Sequence, residues 1–306
     1  MTNAQRPFAG VLPVFQTPYL DNGEIDASTL QREIDWLYEQ GADGLVMAMV
    51  SEILRLSEQE RNELAALACR FSGNRGPVIV SVGTESTRTA VNLARHAADA
   101  GAAGLMAIPP VSIAPREDEL FRYYEAIIQA TPLPVVVQDA SGYVGRPMTI
   151  DFQARLLDLF GPEKVQFKPE ATPIGPRLSL LREATRGTGR IFEGTGGIAL
   201  VDSYRRGIVG TMPGADLIRG IVPLWNALQQ GDDQRAYALS LPISSIVALQ
   251  NSLDAFLAIE KYLLVKQGVF RNTQVRGPVA YRLDPETQAE VDRLFQVLCR
   301  QIEELP

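Results

Sequence analysis

One lysine stands out for its setting. In Val165-Gln-Phe-Lys-Pro-Glu170, Lys168 ends a short apolar run and a carboxylate follows two residues later. Lysine is rarely buried without a partner or a purpose. At the end of an apolar strand, desolvation favours its neutral amine, which can attack a ketone and form an imine. The other reading open at this point is a lysine that reaches solvent or pairs with Glu170. Polar groups recur at the ends of other apolar runs, Ser51 with Glu52, Gln138 with Asp139, Glu193 with Gly194, and Thr211, and of these Ser51, Glu52, Asp139, Glu193, Gly194 and Thr211 are candidate substrate contacts. Glycines after Glu193, in Gly194-Thr-Gly-Gly197, permit close approach of a ligand carboxylate to backbone N–H groups. Backbone N–H groups around Val50 and Ser51 could do the same, since anion binding by the main chain needs no particular side chain. Asp139 has a structural alternative, capping the next element.

Composition narrows the chemistry further. The chain has 306 residues, a formal net charge of -7 and a single histidine, His96. A histidine-rich metal site or a histidine-dependent hydrolase triad is close to excluded by that count. His96 lies within a helical pattern and reads as a surface or interface residue. No Lys/Arg stripe accompanies the negative charge, so nucleic acid is not an expected partner. No apolar run approaches the roughly 18 residues a membrane helix needs, so no membrane partner is expected. The opening MTNAQRPFAG lacks a basic stretch followed by an apolar core, so no secretory leader is expected. Cys69 and Cys299 sit on amphipathic patterns far apart and read as buried free thiols, which fits a reducing, cytoplasmic location.

The elements that must position these residues follow from the apolar periodicity. Short β-prone runs cover 11–17, 44–49, 78–83, 104–108, 135–139, 165–168, 191–194 and 207–212. Their near-continuous apolar character suits parallel strands covered on both faces. Helical patterns lie between them, opened by Asp26, the capping box Ser57-Glu-Gln-Glu60, Ser86 and Thr149. Eight strands alternating with helices predict an α/β fold, a (β/α)8 TIM barrel, whose strand C-termini carry the site. Further helices are predicted over 221–229, 233–249, 253–267 and 285–304. The expected division is a barrel over 1–230 and a C-terminal helical extension over 231–306. A doubly wound sheet would need a glycine-rich phosphate turn after the first strand, and Phe15-Gln-Thr-Pro18 is not one.

The chain resembles the dihydrodipicolinate synthase / N-acetylneuraminate lyase family of Schiff-base barrels nearly end to end. The likeness is carried by Gly10-Val-Leu-Pro-Val-Phe-Gln-Thr-Pro18, Asp21-Asn-Gly-Glu-Ile-Asp26, Gly41-Ala-Asp-Gly44, Leu56-Ser-Glu-Gln-Glu-Arg61, the Lys168 strand and Gly207-Ile-Val-Gly-Thr211. The resemblance implies a Schiff-base lysine at Lys168, no metal or organic cofactor, a small 2-keto acid substrate and a homo-oligomer, a dimer or tetramer.

Three departures bear on activity. The family's Gly-Thr-Thr-Gly-Glu signature aligns with Ala48-Met-Val-Ser-Glu52, which keeps the glutamate and one hydroxyl, Ser51. A tyrosine that relays protons in the family aligns with Val111, and valine cannot do acid–base work. The arginine that grips aspartate semialdehyde in the synthases aligns with Tyr143, and a phenol does not replace a bidentate guanidinium. Tyr143 is instead the attractive substitute for the missing phenol. Tyr123 and Tyr124 read as packing residues.

The Gln138-Asp-Ala140 and Phe167-Lys-Pro-Glu170 runs are most similar to the family's 2-keto-3-deoxy sugar acid dehydratases, of the L-arabonate type. That branch implies loss of a proton at C3 and of hydroxide at C4 from the lysine imine. Glu170, Glu193, Asp139 and Tyr143 are the candidate acids and bases, and Glu52 is expected to orient rather than react. The expected activity is that of a 2-keto-3-deoxy sugar acid dehydratase or aldolase; synthase activity, or a barrel that binds a keto acid with weakened chemistry, are the alternatives.

Overall fold

In the computed structural model, which describes residues 7–304, eight short parallel strands form the expected (β/α)8 barrel. Residues 1–6, part of the stretch read for a leader, and 305–306 lie outside the described residues. The strands are β1 (Gly10–Val11), β2 (Leu45–Met47), β3 (Val78–Ser81), β4 (Gly104–Ala107), β5 (Val135–Asp139), β6 (Val165–Pro169), β7 (Phe192–Glu193) and β8 (Gly210–Thr211). Ladders run β2-β3-β4-β5-β6 and β1-β8-β7. Two parallel bridges close the ring, Val14 to Val46 and Phe167 to Ile191.

Helices follow the strands: α1 (Ala27–Glu39), α2 (Glu58–Ser72), α3 (Thr87–Asp99), α4 (Glu117–Ala130), α5 (Ile150–Phe160), α6 (Ile174–Ala184), α7 (Leu200–Arg205) and α8 (Ile218–Gln230). Then come α9 (Asp233–Leu249), α10 (Leu253–Lys266) and α11 (Pro285–Glu304). The caps are those the residue types suggest. The Asp26 carboxylate accepts from the N–H groups of Ser28 and Thr29, Ser57 and Glu60 form a reciprocal capping box, and Thr149 accepts from Phe152 N–H.

Strand side chains alternate between two apolar clusters, as a pleat of period two requires. Val46, Ile79, Met106 and Val136 fill the barrel interior, whereas Leu45, Met47, Val78, Val80, Val135 and Val137 face the helix layer. Residues of α9, α10 and α11, among them Leu239, Ile259 and Leu298, join that same outer cluster. Phe256 and Leu257 of α10 reach instead into the interior cluster, so α10 helps form the barrel mouth.

Smaller expectations meet their structural setting here. Cys69 and Cys299 are free but half-buried rather than fully buried. His96 sits on α3 with its Nε2 3.1 Å from the Asn62 carbonyl of α2. Tyr123 and Tyr124 are buried, and their hydroxyls bond the carbonyls of Thr84, Ile108 and Ala107.

Candidate active site

Lys168 and Gln138 are paired in register across β6 and β5, so their side chains leave the sheet on the same face. Glu170 lies two residues beyond Lys168 and shares that face. The three side chains meet. Lys168 Nζ donates to Glu170 Oε1 at 2.8 Å, and Gln138 Nε2 donates to Glu170 Oε2 at 2.6 Å. All three are buried, Lys168 at 3% exposure and Glu170 at 2%. Burial pushes the Glu170 carboxyl up, the Lys168 ammonium and the two hydrogen bonds pull it back, and neighbouring Glu193 adds to the rise, leaving it above the ordinary carboxylate range. Gln138 Oε1 has no hydrogen-bond partner, so one buried acceptor stands free beside the lysine.

These groups line a pocket at the C-terminal ends of the strands with Val14, Ala48, Met49, Val50, Tyr143, Gly194, Gly196, Met212, Gly214 and Phe256. The position of Gly194 follows from space. A Cβ there would lie 2.6 Å from Lys168 Cε and 2.8 Å from its Cγ. Tyr143 is half-buried, with its ring edge-on to Phe256 at 6.5 Å between centroids. Burial, and the carboxyls of Glu170, Glu193 and Glu260, push its phenol well up. It therefore keeps its proton. Val111 and Tyr143 pack on the same small cluster of Met49, Ile108 and Ala140.

Of the residues singled out from sequence, Lys168, Glu170, Tyr143, Val50 and Gly194 line the pocket, and five others do not. The Asp139 side chain accepts from Ser141 N–H at 3.1 Å and Met148 N–H at 2.9 Å, so it caps the loop after β5. The strand period explains this, because inward Gln138 leaves its neighbour facing out. Glu193 is held by Thr195 and by Thr211, whose Oγ1 donates at 2.7 Å from the registered strand β8. The Ser51 hydroxyl donates to Phe15 O at 2.6 Å and accepts from Ala48 N–H at 3.1 Å within the 3-10 turn Met49–Ser51.

Glu52 ends that turn in the left-handed region, at φ 61°, an uncommon conformation for a non-glycine residue. Its carboxylate forms a buried ion pair with Lys261 of α10 and accepts from Arg276 N–H at 2.7 Å. Lys261 also donates to the carbonyls of Thr17 and Gln274. Glu52 thus ties the β2 loop to α10 and to the segment after it, and does not line the pocket. Sequence reasoning passed over Gln138 in favour of Asp139, and did not find Phe256 or Gly214. The register of Gln138 opposite Lys168 was the available signal.

The mouth of this parallel barrel thus holds a buried amine against a carboxyl. The model of the dihydrodipicolinate synthetase family matches residues 7–297, and the chain belongs to that family, whose members are lyases and dehydratases. It is 30% identical over 299 residues to L-2-keto-3-deoxyarabonate dehydratase of Azospirillum brasilense, covering 95% of each chain. It is 27% identical over 293 residues to 4-hydroxy-tetrahydrodipicolinate synthase of Rhizobium meliloti, covering 93% of this chain and 96% of the relative. Among solved structures, a prophage protein of the dihydrodipicolinic acid synthase family from E. coli K12, in complex with pyruvate, superposes with a TM-score of 0.88 at 25% identity, covering 95% of this chain and 99% of that one. No helix among the described residues is long and apolar enough to cross a membrane.

Proposed function

We propose that this chain is a Schiff-base-forming lyase that dehydrates a 2-keto-3-deoxy sugar acid. The observation that carries the reading is the buried Lys168–Glu170 pair, held by Gln138 and open to the pocket. Glu170 takes the proton of the Lys168 ammonium and frees the amine. The amine attacks the C2 ketone, Glu170 returns its proton to the carbinolamine hydroxyl, which leaves as water, and the protonated imine and the Glu170 carboxylate result. The imine draws electron density from C3, so a positioned carboxylate removes the C3 proton. Glu170 is that base, and it returns the proton to the hydroxyl leaving C4 as water. Tyr143 donates a hydrogen bond to the same hydroxyl. Hydrolysis of the imine releases the product. The net change is loss of one water from the substrate.

Val50 and Met49 line the pocket at the start of the 3-10 turn, where the first N–H groups of a helical turn have no partner within it. They are the contacts proposed for the substrate carboxylate. Gly194 leaves room for the lysine, while Ser51, Glu52, Asp139, Glu193 and Thr211 hold the loops around the site. Synthase chemistry is disfavoured by Tyr143 at the position of the family arginine. The reading as a keto-acid-binding barrel with weakened chemistry is favoured by one observation, Val111 in place of the relay tyrosine. We further infer a homo-oligomer in the cytoplasm, supported by the family and by the two free thiols.

The test is turnover. Incubation with 2-keto-3-deoxy-L-arabonate is expected to yield a product lighter by one water, read by mass spectrometry. Condensation of pyruvate with aspartate semialdehyde, in place of dehydration, would contradict the assignment. Imine formation without release of product would favour the binding barrel.

A further inference from the structure

A second group of buried acids stands behind the pocket wall, and the imine chemistry does not use it. Gly214 lines the pocket, and a Cβ on it would meet Glu260 Oε1 at 2.8 Å and Asp216 Oδ1 at 2.9 Å. Two carboxyls therefore flank one backbone position of the site. Glu260 accepts from Ala215 N–H at 2.6 Å and from Gln16 Nε2, while Asp216 accepts from Gln250 Nε2 at 3.0 Å. Glu33 of α1 joins them by accepting from Gln16 N–H at 2.8 Å. All five side chains are buried.

The cation beside the group is Lys261, and its ammonium is already held by Glu52, Thr17 O and Gln274 O. Among the described residues, Asp216, Glu260 and Glu33 thus lack a hydrogen-bonded counter-ion of their own. A buried carboxylate in that position takes up a proton rather than remain charged. Hydrogen-bond accounting points the same way. Among the described residues, Gln16 Oε1, Gln250 Oε1 and Glu33 Oε2 are buried without partners, and turning either amide end for end would offer its oxygen to the neighbouring carboxyl O–H. Burial pushes Asp216 up to about 7, and burial with Asp216 alongside pushes Glu260 well up.

We propose that Asp216 and Glu260 form a proton-holding dyad behind Gly214, neutral toward an anionic ligand while both protons are bound and repulsive once one is lost. The charged and titratable groups facing it are Glu33 from α1, Lys261 from α10 and Tyr143 from the loop after β5, with Glu170 and Glu193 beyond that phenol. Rising pH weakens keto-acid binding through this pair. The chemistry is electrostatic and forms no bond to the ligand.

The probe is pyruvate, with its dissociation constant measured by calorimetry from about pH 6 to about pH 8, either side of the Asp216 transition. A charge within about 10 Å of the ligand, at an effective dielectric near 20, predicts a loss of affinity of roughly tenfold in the native chain. In Asp216→Asn the loss disappears. The same pH dependence in both chains overturns the proposal. Infrared spectroscopy gives a second readout: a protonated-carboxyl band that fades as pH rises in the native chain and is diminished in Asp216→Asn. Should that variant not fold, Glu260→Gln takes its place with the same two outcomes. The ligand effect rests on the keto-acid pocket proposed above, whereas the infrared band does not. A titrating band without pyruvate binding overturns the keto-acid reading and the ligand effect together. Pyruvate binding without the band overturns the dyad alone.

Discussion

Gly194→Ala asks how closely the pocket holds its lysine. The added methyl would sit 2.6 Å from Lys168 Cε, 2.8 Å from Lys168 Cγ and 3.0 Å from Glu170 Cγ. Carbon atoms pack best at about 3.5–4.0 Å, so the overlap is close to 1 Å. Turning the end of the lysine relieves the clash at Cε but not at Cγ, and the Glu170 contact remains. The amine and its carboxyl must therefore shift together. Misplacement of reacting groups by about 1 Å costs on the order of 10²-fold in rate, or about 2.7 kcal/mol of barrier. Overpacking itself costs about 1–3 kcal/mol of stability, a fall of a few degrees in Tm. The assay is kcat/KM for 2-keto-3-deoxy-L-arabonate, alongside a thermal melt. The expected result is a variant that melts a few degrees lower and turns over about 10²-fold more slowly. A variant with kcat/KM within threefold of the native chain would refute the reasoning, because an amine so crowded could not be the one that reacts.

Other predictions bear on separate groups. Glu170→Gln removes the proposed base and leaves the amine, so turnover should fall about 10²–10⁴-fold while a lysine adduct still forms; an unchanged rate would transfer the base role elsewhere. Tyr143→Phe should lower kcat by at least about tenfold, and an unchanged rate would remove the phenol from the mechanism. Burial raises Glu33 from an ordinary 4.5 to about 8, so the folded chain holds a proton that the unfolded chain has released. Stability therefore declines as pH rises from about 4.5 through about 8, and Glu33→Gln should flatten that decline in urea titrations; an identical slope in both chains would contradict it.

The barrel was readable because the strands lie in short, mostly apolar runs and because α1, α2, α3 and α5 open on Asp26, Ser57, Ser86 and Thr149, whose side chains cap them. Strand β5 coincides with its predicted range, whereas β1 is cut to Gly10–Val11 because the chain beyond it pairs only at single bridges. Lys168 and Glu170 were legible for a local reason: two residues apart on a strand, they share a face. Asp139 was chosen over Gln138 by residue type, since a carboxylate reads as chemistry more readily than an amide. The alternation of the strand decides otherwise. Glu52 and Ser51 were assigned to the substrate because their partners could not be seen. Lys261 and Arg276 come from segments more than 200 residues away, and no spacing rule links them. Gly214, Phe256 and the acids behind them were missed for the same reason: they come from the segment after β8, from α10 and from α1, brought together by closure of the ring.

The central claim is that Lys168 forms an imine with a 2-keto acid. The direct measurement is incubation with pyruvate or 2-keto-3-deoxy-L-arabonate, reduction with borohydride, digestion and mapping of the adduct by mass. The account predicts a reduced adduct on the peptide bearing Lys168, absent from Lys168→Ala. No adduct, or one that persists in Lys168→Ala, would contradict it.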